Sequence, residues 1–551
     1  MSVATVPVSF QGMSFQEFSL QEISLQECLE KPNKAQYNGG IVRNPEFNEG
    51  LEGWSLFGGA GKIEQREAAG GQKFIVAYER KHPYDSFSQN FSLIKDTHYT
   101  FSGAVMAESG CWSMLKGGIS VDSSGPAELY FESKDTSVEI RAASVSLQPF
   151  TNEQWTFHQH QSIEKMRKNK VRLQAVDAKG NPLPGANISF IQKKLGFPFG
   201  NAINRNILTN PAFQKWFTSR FTVTTFENEM KWYSTEATLG KEDYSVPDAM
   251  LQFARRNGIS VRGHAVFWDD PQYQQQWIKS LAPVQLAAAA NRRMNSLMTR
   301  YAGKVIGWDV VNENLRFSFF EDRLGKDASA KFYNRAFQLD KGVPMFLNDY
   351  NTIEMSSDVV SSPSNYLKKL REIQAFPGNR NGKMGIGLES HFTTAPNLPY
   401  IRSAIDTLAA ARVPIWITEL DVQNNLDQAK VLEQVLREVH AHPAIKGIVM
   451  WASWTPQGCY RMCLTDNNFR NLATGAVVDK LIAEWSQKRF VAKTDAEGFF
   501  EAPLFHGDYQ VTIASHAAAA NLSSSSTSQT FKVQAAKRTS QKTTLHVKVS
   551  A

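Results

Sequence analysis

The chain has 551 residues, 42% of them apolar, with 12 Trp and a formal net charge of +7 at pH 7. That length carries three or four domains with a sizeable core. No run of 18 apolar residues occurs, which excludes a long apolar spanning helix. The basic residues are scattered apart from 165–172 and 537–542, and no Cys/His or Gly-aromatic module accompanies them, so no membrane or nucleic-acid partner is expected.

Residues 1–38 are expected to be disordered. They carry no basic-then-apolar leader pattern, which leaves the export route open, and residues 10–29 repeat a polar, acidic Ser-Phe-Gln-Glu or Ser-Leu-Gln-Glu unit. Residues 39–150 read as an all-β sandwich. Short runs at 73–78, 98–105, 128–133 and 144–148 are separated by Gly, Ser and Asp. Residues 165–193 hold a strand, the turn Gly180-Asn181-Pro182-Leu183-Pro184-Gly185, and a second strand. A similar set, with Thr494-Asp495-Ala496-Glu497-Gly498, lies in 489–551. Each piece alone leaves open strand edges, so the two are expected to join as one small β-sandwich split around what lies between them. Cys28, Cys111, Cys459 and Cys463 are too few for a disulfide framework. Cys459 and Cys463 are spaced either to bridge a loop or to stay free.

Residues 194–488 alternate strand-like and helical patterns. The strand-like runs are 197–202, 221–226, 260–268, 305–312, 344–347, 385–388, 414–418 and 447–451. Helical patterns between them include 286–301, 400–412 and 429–440. Eight such units predict a (β/α)8 barrel, whose active site lies where the strands end. Two of the runs, Trp308-Asp309-Val310-Val311-Asn312-Glu313-Asn314 and Ile417-Thr418-Glu419-Leu420-Asp421, end in a carboxylate. A carboxylate pair at two parallel strand ends is what a retaining glycoside hydrolase requires, one group as proton donor and the other as nucleophile. Polar or aromatic residues end nearly every other strand. Asn312 can donate to a sugar hydroxyl, His391 and His264 can orient a carboxylate, Lys231 supplies three donors, and Trp268 and Trp451 offer ring faces to a pyranose.

The motifs Glu227–Trp232 (read as Glu-Asn-Glu-Met-Lys-Trp), Arg262-Gly263-His264 with Trp268, 308–314, 385–391 and 416–421 closely resemble glycoside hydrolase family 10, the endo-1,4-β-xylanases, especially the plant branch. The resemblance implies Glu313 as acid/base and Glu419 as nucleophile. It also implies a sugar site lined by Glu227, Asn228, Lys231, His264, Trp268, Asn312, Glu389, His391 and Trp451, with no metal or cofactor. The implied partner is xylan or arabinoxylan, and the implied state is a monomer acting on cell wall. Glu389 stands where many members carry Gln, so an added carboxylate charge beside the nucleophile is expected to raise a neighbouring pKa. The second aromatic wall of the site is open between Trp454 and Tyr460. A non-catalytic xylan-binding protein and a xylan transglycosylase using the same residues are the alternatives.

The opening Asn44-Pro45-Glu46-Phe47-Asn48 with Gly53-Trp54 resembles carbohydrate-binding module family 22, a jelly-roll sandwich that binds xylan. Its cleft residues are expected at Arg80, Tyr84, Tyr130 and Glu132. The split segments resemble a carboxypeptidase-regulatory-like sandwich.

Overall fold

The computed structural model describes residues 8–12, 18–20, 31–68, 70–106, 112–424, 426–451, 454–487, 489–514, 526–534 and 545–550. Cys28 and Cys111 lie outside them. Among the described residues, no helix is long and apolar enough to cross a membrane.

The amino-terminal module is two five-stranded antiparallel sheets. One runs Phe18–Leu20, Val8–Gly12, Gly125–Phe131, Ser86–Leu93, Ser55–Phe57. The other runs Lys62–Glu67, Lys73–Tyr78, Ile140–Thr151, Thr97–Met106, Trp112–Val121. Alternation along the strands sends Ile75, Ala77, Phe87, Leu129, Phe131 and Leu147 into the space between the sheets. Within residues 1–38, expected to be disordered, two described runs form strands instead. Val8–Gly12 pairs along Gly125–Phe131, with Phe10 opposite Leu129, and Phe18–Leu20 pairs beside it. The outer edge of Gly125–Phe131 would otherwise present unpaired backbone groups, and the amino-terminal segment satisfies them.

The barrel strands are β1 (Phe199–Asn201), β2 (Val223–Thr225), β3 (Ser260–Arg262, resuming at Phe267–Trp268), β4 (Trp308–Asn312), β5 (Met345–Asp349), β6 (Met384–Leu388), β7 (Ile415–Val422) and β8 (Ile445–Met450). All pair in parallel, and β8 returns to β1 with Phe199 opposite Ile448. The close approach of β1 to β2 requires a glycine, since a Cβ at Gly200 would lie 1.9 Å from the Val223 carbonyl oxygen. Val223, Phe346, Trp416 and Val449 pack as a cluster inside the barrel. Outside it, helices present apolar stripes to the strands, such as Leu432, Val435, Leu436 and Val439 of Gln428–Ala441.

The small sandwich is assembled from both sides of the barrel. Lys168–Val176 pairs antiparallel with Phe499–Phe505, and Asn187–Leu195 lies between Arg489–Lys493 and Gly507–Ala514. Its core joins Val171, Leu173, Ile188 and Phe190 to Leu504, Val511 and Ile513. The Thr494 hydroxyl accepts from the Ala186 N–H at 2.9 Å, a bond spanning 308 positions.

A helix that the sequence reading did not assign, Asn152–Met166, links the two upstream modules. Thr151 and Gln154 form its capping box. Trp155, Gln159 and Ile163, four residues apart, face the barrel. The Trp155 indole and the Gln159 amide both donate to Oε2 of the fully buried Glu438, at 2.8 and 2.7 Å, and Arg402 pairs with its Oε1 at 2.7 Å.

Candidate active site

Local backbone geometry at the strand ends turns side chains toward the barrel axis. Glu313, one residue past β4, has φ of 59°, and Ser390, between Glu389 and His391, has φ of 73°. Both lie in the left-handed region that non-glycine residues enter only when surroundings hold them there. For Glu313 the holding bond is its N–H donating to the Asn348 carbonyl at 2.8 Å.

Glu419 is 6% exposed. The Asn348 amide lies 3.0 Å from its Oε1, His264 Nε2 3.8 Å from Oε1, and His391 Nε2 3.7 Å from Oε2. Each imidazole is oriented from behind by a carboxylate: His264 Nδ1 is 2.9 Å from Asp309, and His391 Nδ1 is 3.1 Å from Asp421. Arg262 pairs with Asp309 at 2.6 Å and Arg461 with Asp421 at 2.6 Å. Burial by itself pushes the Glu419 pKa up, but the charges of His264, His391 and Lys231 outweigh it and hold the group at about 2. Glu419 is therefore an anion across the ordinary pH range.

Glu313 is the opposite case. Burial, and then the Glu419 charge, push it up to about 7. Asn312 Nδ2 lies 3.4 Å from Glu313 Oε1. One carboxyl kept protonated facing one kept ionised is the division of labour needed for acid-assisted nucleophilic displacement.

The remaining barrel residues fall around this pair. Lys231 is buried, which lowers its pKa, while Glu419, Glu313, Glu389 and Glu227 oppose the shift. Its Nζ sits 4.4 Å above Trp268 and 5.5 Å from the Trp451 ring centre. Glu227, pushed up to about 7 by burial and then by Glu229, accepts from Asn204 at 3.2 Å. Asn228 is exposed and accepts from Tyr233 at 2.6 Å. Trp451 meets His264 edge-on at 5.5 Å. Glu389, His391 and Glu419 bring potential ligand atoms within 4.8 Å of one another.

Three expectations are corrected. Burial, and then the Glu419 and Glu313 charges, raise Glu389 well above the carboxylate range, so it adds a protonated carboxyl rather than a charge. Trp268 is no open platform, because Tyr273 stacks on it at 3.9 Å while Lys231 sits over the ring. Tyr273, 45% exposed, carries the free aromatic face instead. Trp454 is a core residue against Phe213 and Phe469, and Tyr460 stands 94% exposed on a loop that the Cys459–Cys463 disulfide closes.

Residues 188–477 match glycosyl hydrolase family 10, and residues 39–143 match a carbohydrate binding domain. The chain is 44% identical over 457 residues to "Endo-1,4-beta-xylanase 5-like" of Arabidopsis thaliana, covering 82% of this chain and 79% of that protein. It is also 44% identical to "Endo-1,4-beta-xylanase 4" of Arabidopsis thaliana, over 76% of each. The chain belongs to glycosyl hydrolase family 10. The crystal structure of native xylanase 10B from Thermotoga maritima aligns with 52% of this chain and 96% of its own, at 22% identity and a TM-score of 0.45.

In the carbohydrate-binding domain of this family 10 chain, two expected cleft residues have other duties. Arg80 is 7% exposed and donates to five carbonyls, those of Pro83, Asp85, Ser133, Asp135 and Val138, pinning the loops at one end of the sandwich. Tyr130 is 5% exposed under Phe57, with ring centres 4.1 Å apart. Tyr84 does reach the surface, at 41% exposure, stacked on His82, and Glu132 is part-buried. Residue identity alone cannot distinguish an arginine aimed at ligand from one that saturates loop carbonyls. The missed contributors are Asp309 and Asp421, inside the quoted motifs, and Asn348, outside them at the end of β5, where the signal was a run of polar residues at the strand end.

Proposed function

We propose that this chain is an endo-1,4-β-xylanase that cleaves internal linkages of xylan with retention of configuration. The observation that carries the reading is the opposed protonation of two carboxyls at the ends of β4 and β7, Glu313 at about 7 and Glu419 at about 2. Glu313 donates its proton to the glycosidic oxygen while Glu419 attacks the anomeric carbon and forms a glycosyl-enzyme. Covalent capture removes the Glu419 charge, so Glu313 becomes more acidic, loses its proton to the leaving group without penalty, and then accepts one from the attacking water. Glu227, Asn228, Lys231 and Asn312 bind sugar hydroxyls, and His264 and His391 orient the nucleophile. The amino-terminal domain recognises xylan in the manner of carbohydrate-binding module family 22, with Tyr84 as its exposed ring. The same reading divides the chain into a binding module at 39–150, a catalytic barrel at 194–488 and a sandwich built from 165–193 and 489–551.

The test is the stereochemistry of the first product. Proton NMR of xylohexaose hydrolysis should show the β-anomer first, with the α-anomer appearing by mutarotation. Glu419→Ala should be inactive on every substrate, whereas Glu313→Ala should lose far more on xylan than on an aryl xylobioside with an acidic leaving group. Initial release of the α-anomer, or equal losses for Glu313→Ala on both substrates, refutes the assignment.

A further inference from the structure

The loop after β8 holds a cation that the chemistry above does not use. Cys459 and Cys463 are disulfide-bonded, and Arg461 lies inside the small ring they close. Its Nε pairs with Asp421 Oδ1 at 2.6 Å and its Nη2 donates to the Phe392 carbonyl at 2.8 Å. Its own carbonyl accepts from Gln428 Nε2 at 2.8 Å, and that same amide donates to Val422 O at the end of β7, also at 2.8 Å. Arg461 is thus fixed at two nitrogens of its guanidinium and through its backbone.

We propose that Arg461 is a positioning residue for the nucleophile: held by the Cys459–Cys463 ring, its guanidinium fixes Asp421 against His391, and so fixes the His391 ring beside Glu419. The inference rests on the reading of Glu419 as nucleophile. The chain of contacts is continuous, from Arg461 to Asp421 at 2.6 Å, Asp421 to His391 Nδ1 at 3.1 Å, and His391 Nε2 to Glu419 at 3.7 Å.

The need for a second cation follows from what surrounds the imidazole. His391 Nε2 faces Glu389 at 3.5 Å as well as Glu419, and its backbone N–H donates to Glu354 at 2.9 Å. Lys231 and His264 act on Glu419 from the other side. Asp421 is only 2% exposed, so its charge has little water to stabilise it. Without the guanidinium, Asp421 would keep only an imidazole that is itself shared among three acids, and nothing would hold it against Nδ1. The His391 ring would then be free to turn away from Glu419, and its hold on the Glu419 charge would weaken. An arginine suits this place because it stays charged when buried and its fork reaches two acceptors at once, a carboxylate and a carbonyl.

The experiment compares pH profiles of kcat/KM on an aryl xylobioside for the full chain, Arg461→Met, Arg461→Lys and the double variant Cys459→Ser/Cys463→Ser. Arg461→Met should raise the acid limb by about half a pH unit or more, since an opposite charge in direct contact moves a carboxyl by about 1–3 units and this one acts at one remove. Arg461→Lys should return at least half of that shift. A loss of kcat with an unmoved acid limb in folded Arg461→Met means a merely structural role and overturns the proposal. If Arg461→Met fails to fold, the double serine variant keeps the guanidinium but opens the ring, and its acid limb should move up as well. An unmoved limb there also overturns it. Labelling of the unaltered chain with a 2-deoxy-2-fluoro-xylobioside, read by peptide mass, tests Glu419 separately: label on another residue sinks the nucleophile reading itself, whereas label on Glu419 with an unmoved limb sinks only the role of Arg461.

Discussion

Replacing Glu389 by Gln tests whether the site carries one anion or two. Glu389 is 1% exposed, and burial with the Glu419 and Glu313 charges keeps it protonated in the fold. Two charges 4.8 Å apart, the outer limit for the Glu389 and Glu419 oxygens, would repel by about 3.5 kcal/mol at an effective dielectric constant of 20. Protonation avoids that cost. In the unfolded chain the same side chain titrates at its ordinary value of 4.5. The native state therefore binds one more proton than the unfolded state at every pH above 4.5 for as long as Glu389 stays neutral. The sign follows: with its folded pKa raised, the carboxyl's stability contribution is present below 4.5 and is lost as pH rises, by about 1.4 kcal/mol per unit. Gln cannot titrate, so Glu389→Gln should gain stability relative to the unaltered chain as pH rises from 5 to 7, by at most about 1.4 kcal/mol per unit. For a barrel of this size each kcal/mol is about 2 °C in Tm, readable by scanning calorimetry of the barrel transition. Because Gln keeps the shape and a donor, kcat/KM near pH 6 should stay within about threefold, the effect of under 1 kcal/mol. A Tm difference that is the same at pH 5 and pH 7 would show that Glu389 is ionised in the fold, and the reasoning would fail.

The alkaline limb of kcat/KM on xylan should fall through about pH 7, as Glu313 loses the proton it must donate. A limb above pH 9 would remove Glu313 from the acid role. Trp155→Phe takes a donor from buried Glu438 and should cost about 1–3 kcal/mol, seen as a lowered Tm with active-site kinetics unchanged. An unaltered Tm would mean that the linking helix is not anchored there. Gly118→Leu should loosen the amino-terminal module from the barrel, because even a Cβ at this position would lie 2.3 Å from Pro399 Cβ. Faster proteolytic release of that module is the expected readout, and unchanged cleavage would count against a docked interface. Deleting residues 486–551 should destabilise the protein, because Phe490, Leu504, Val511 and Ile513 leave the core they share with Val171 and Ile188; an unchanged Tm would refute that dependence.

The barrel was legible because its strands obey two rules at once. Runs such as 308–312 and 415–418 are apolar and β-branched, and each ends in polar residues at the same face. The split sandwich was legible from turn chemistry: the φ of 89° at Gly180 and 79° at Gly498 belongs to tight turns that leave strands on both sides. What escaped was decided by long-range neighbours. The run 8–12 carries no strand signal in isolation, and the open edge of Gly125–Phe131 gives it a partner. Arg80 carries the same side chain whether it meets a sugar or five carbonyls. Trp155 reads as one more aromatic until Glu438, 283 positions away, is placed beneath it.

The same dependence on neighbours governs charge. Glu227, Glu313, Glu389, Glu419 and Asp421 crowd one pocket, and sequence presents the first four as equivalent glutamates. Full ionisation would set several anions against Lys231, His264, His391 and Arg461 in surroundings poor in water. The pocket resolves this by position. Glu419 lies where two oriented imidazoles and an amide converge, so it takes the charge. Glu389 shares Asn348 and His391 with it but stands deeper, at 1% exposure, and takes the proton. Glu313 faces the same charge from β4, three strands away, with Asn312 at 3.4 Å and the Trp268 side chain as partners, and is balanced near neutrality. A nucleophile, a silent carboxyl and a proton donor thus arise from one residue type, and what separates them is the number of cations and donors that each strand end brings within reach.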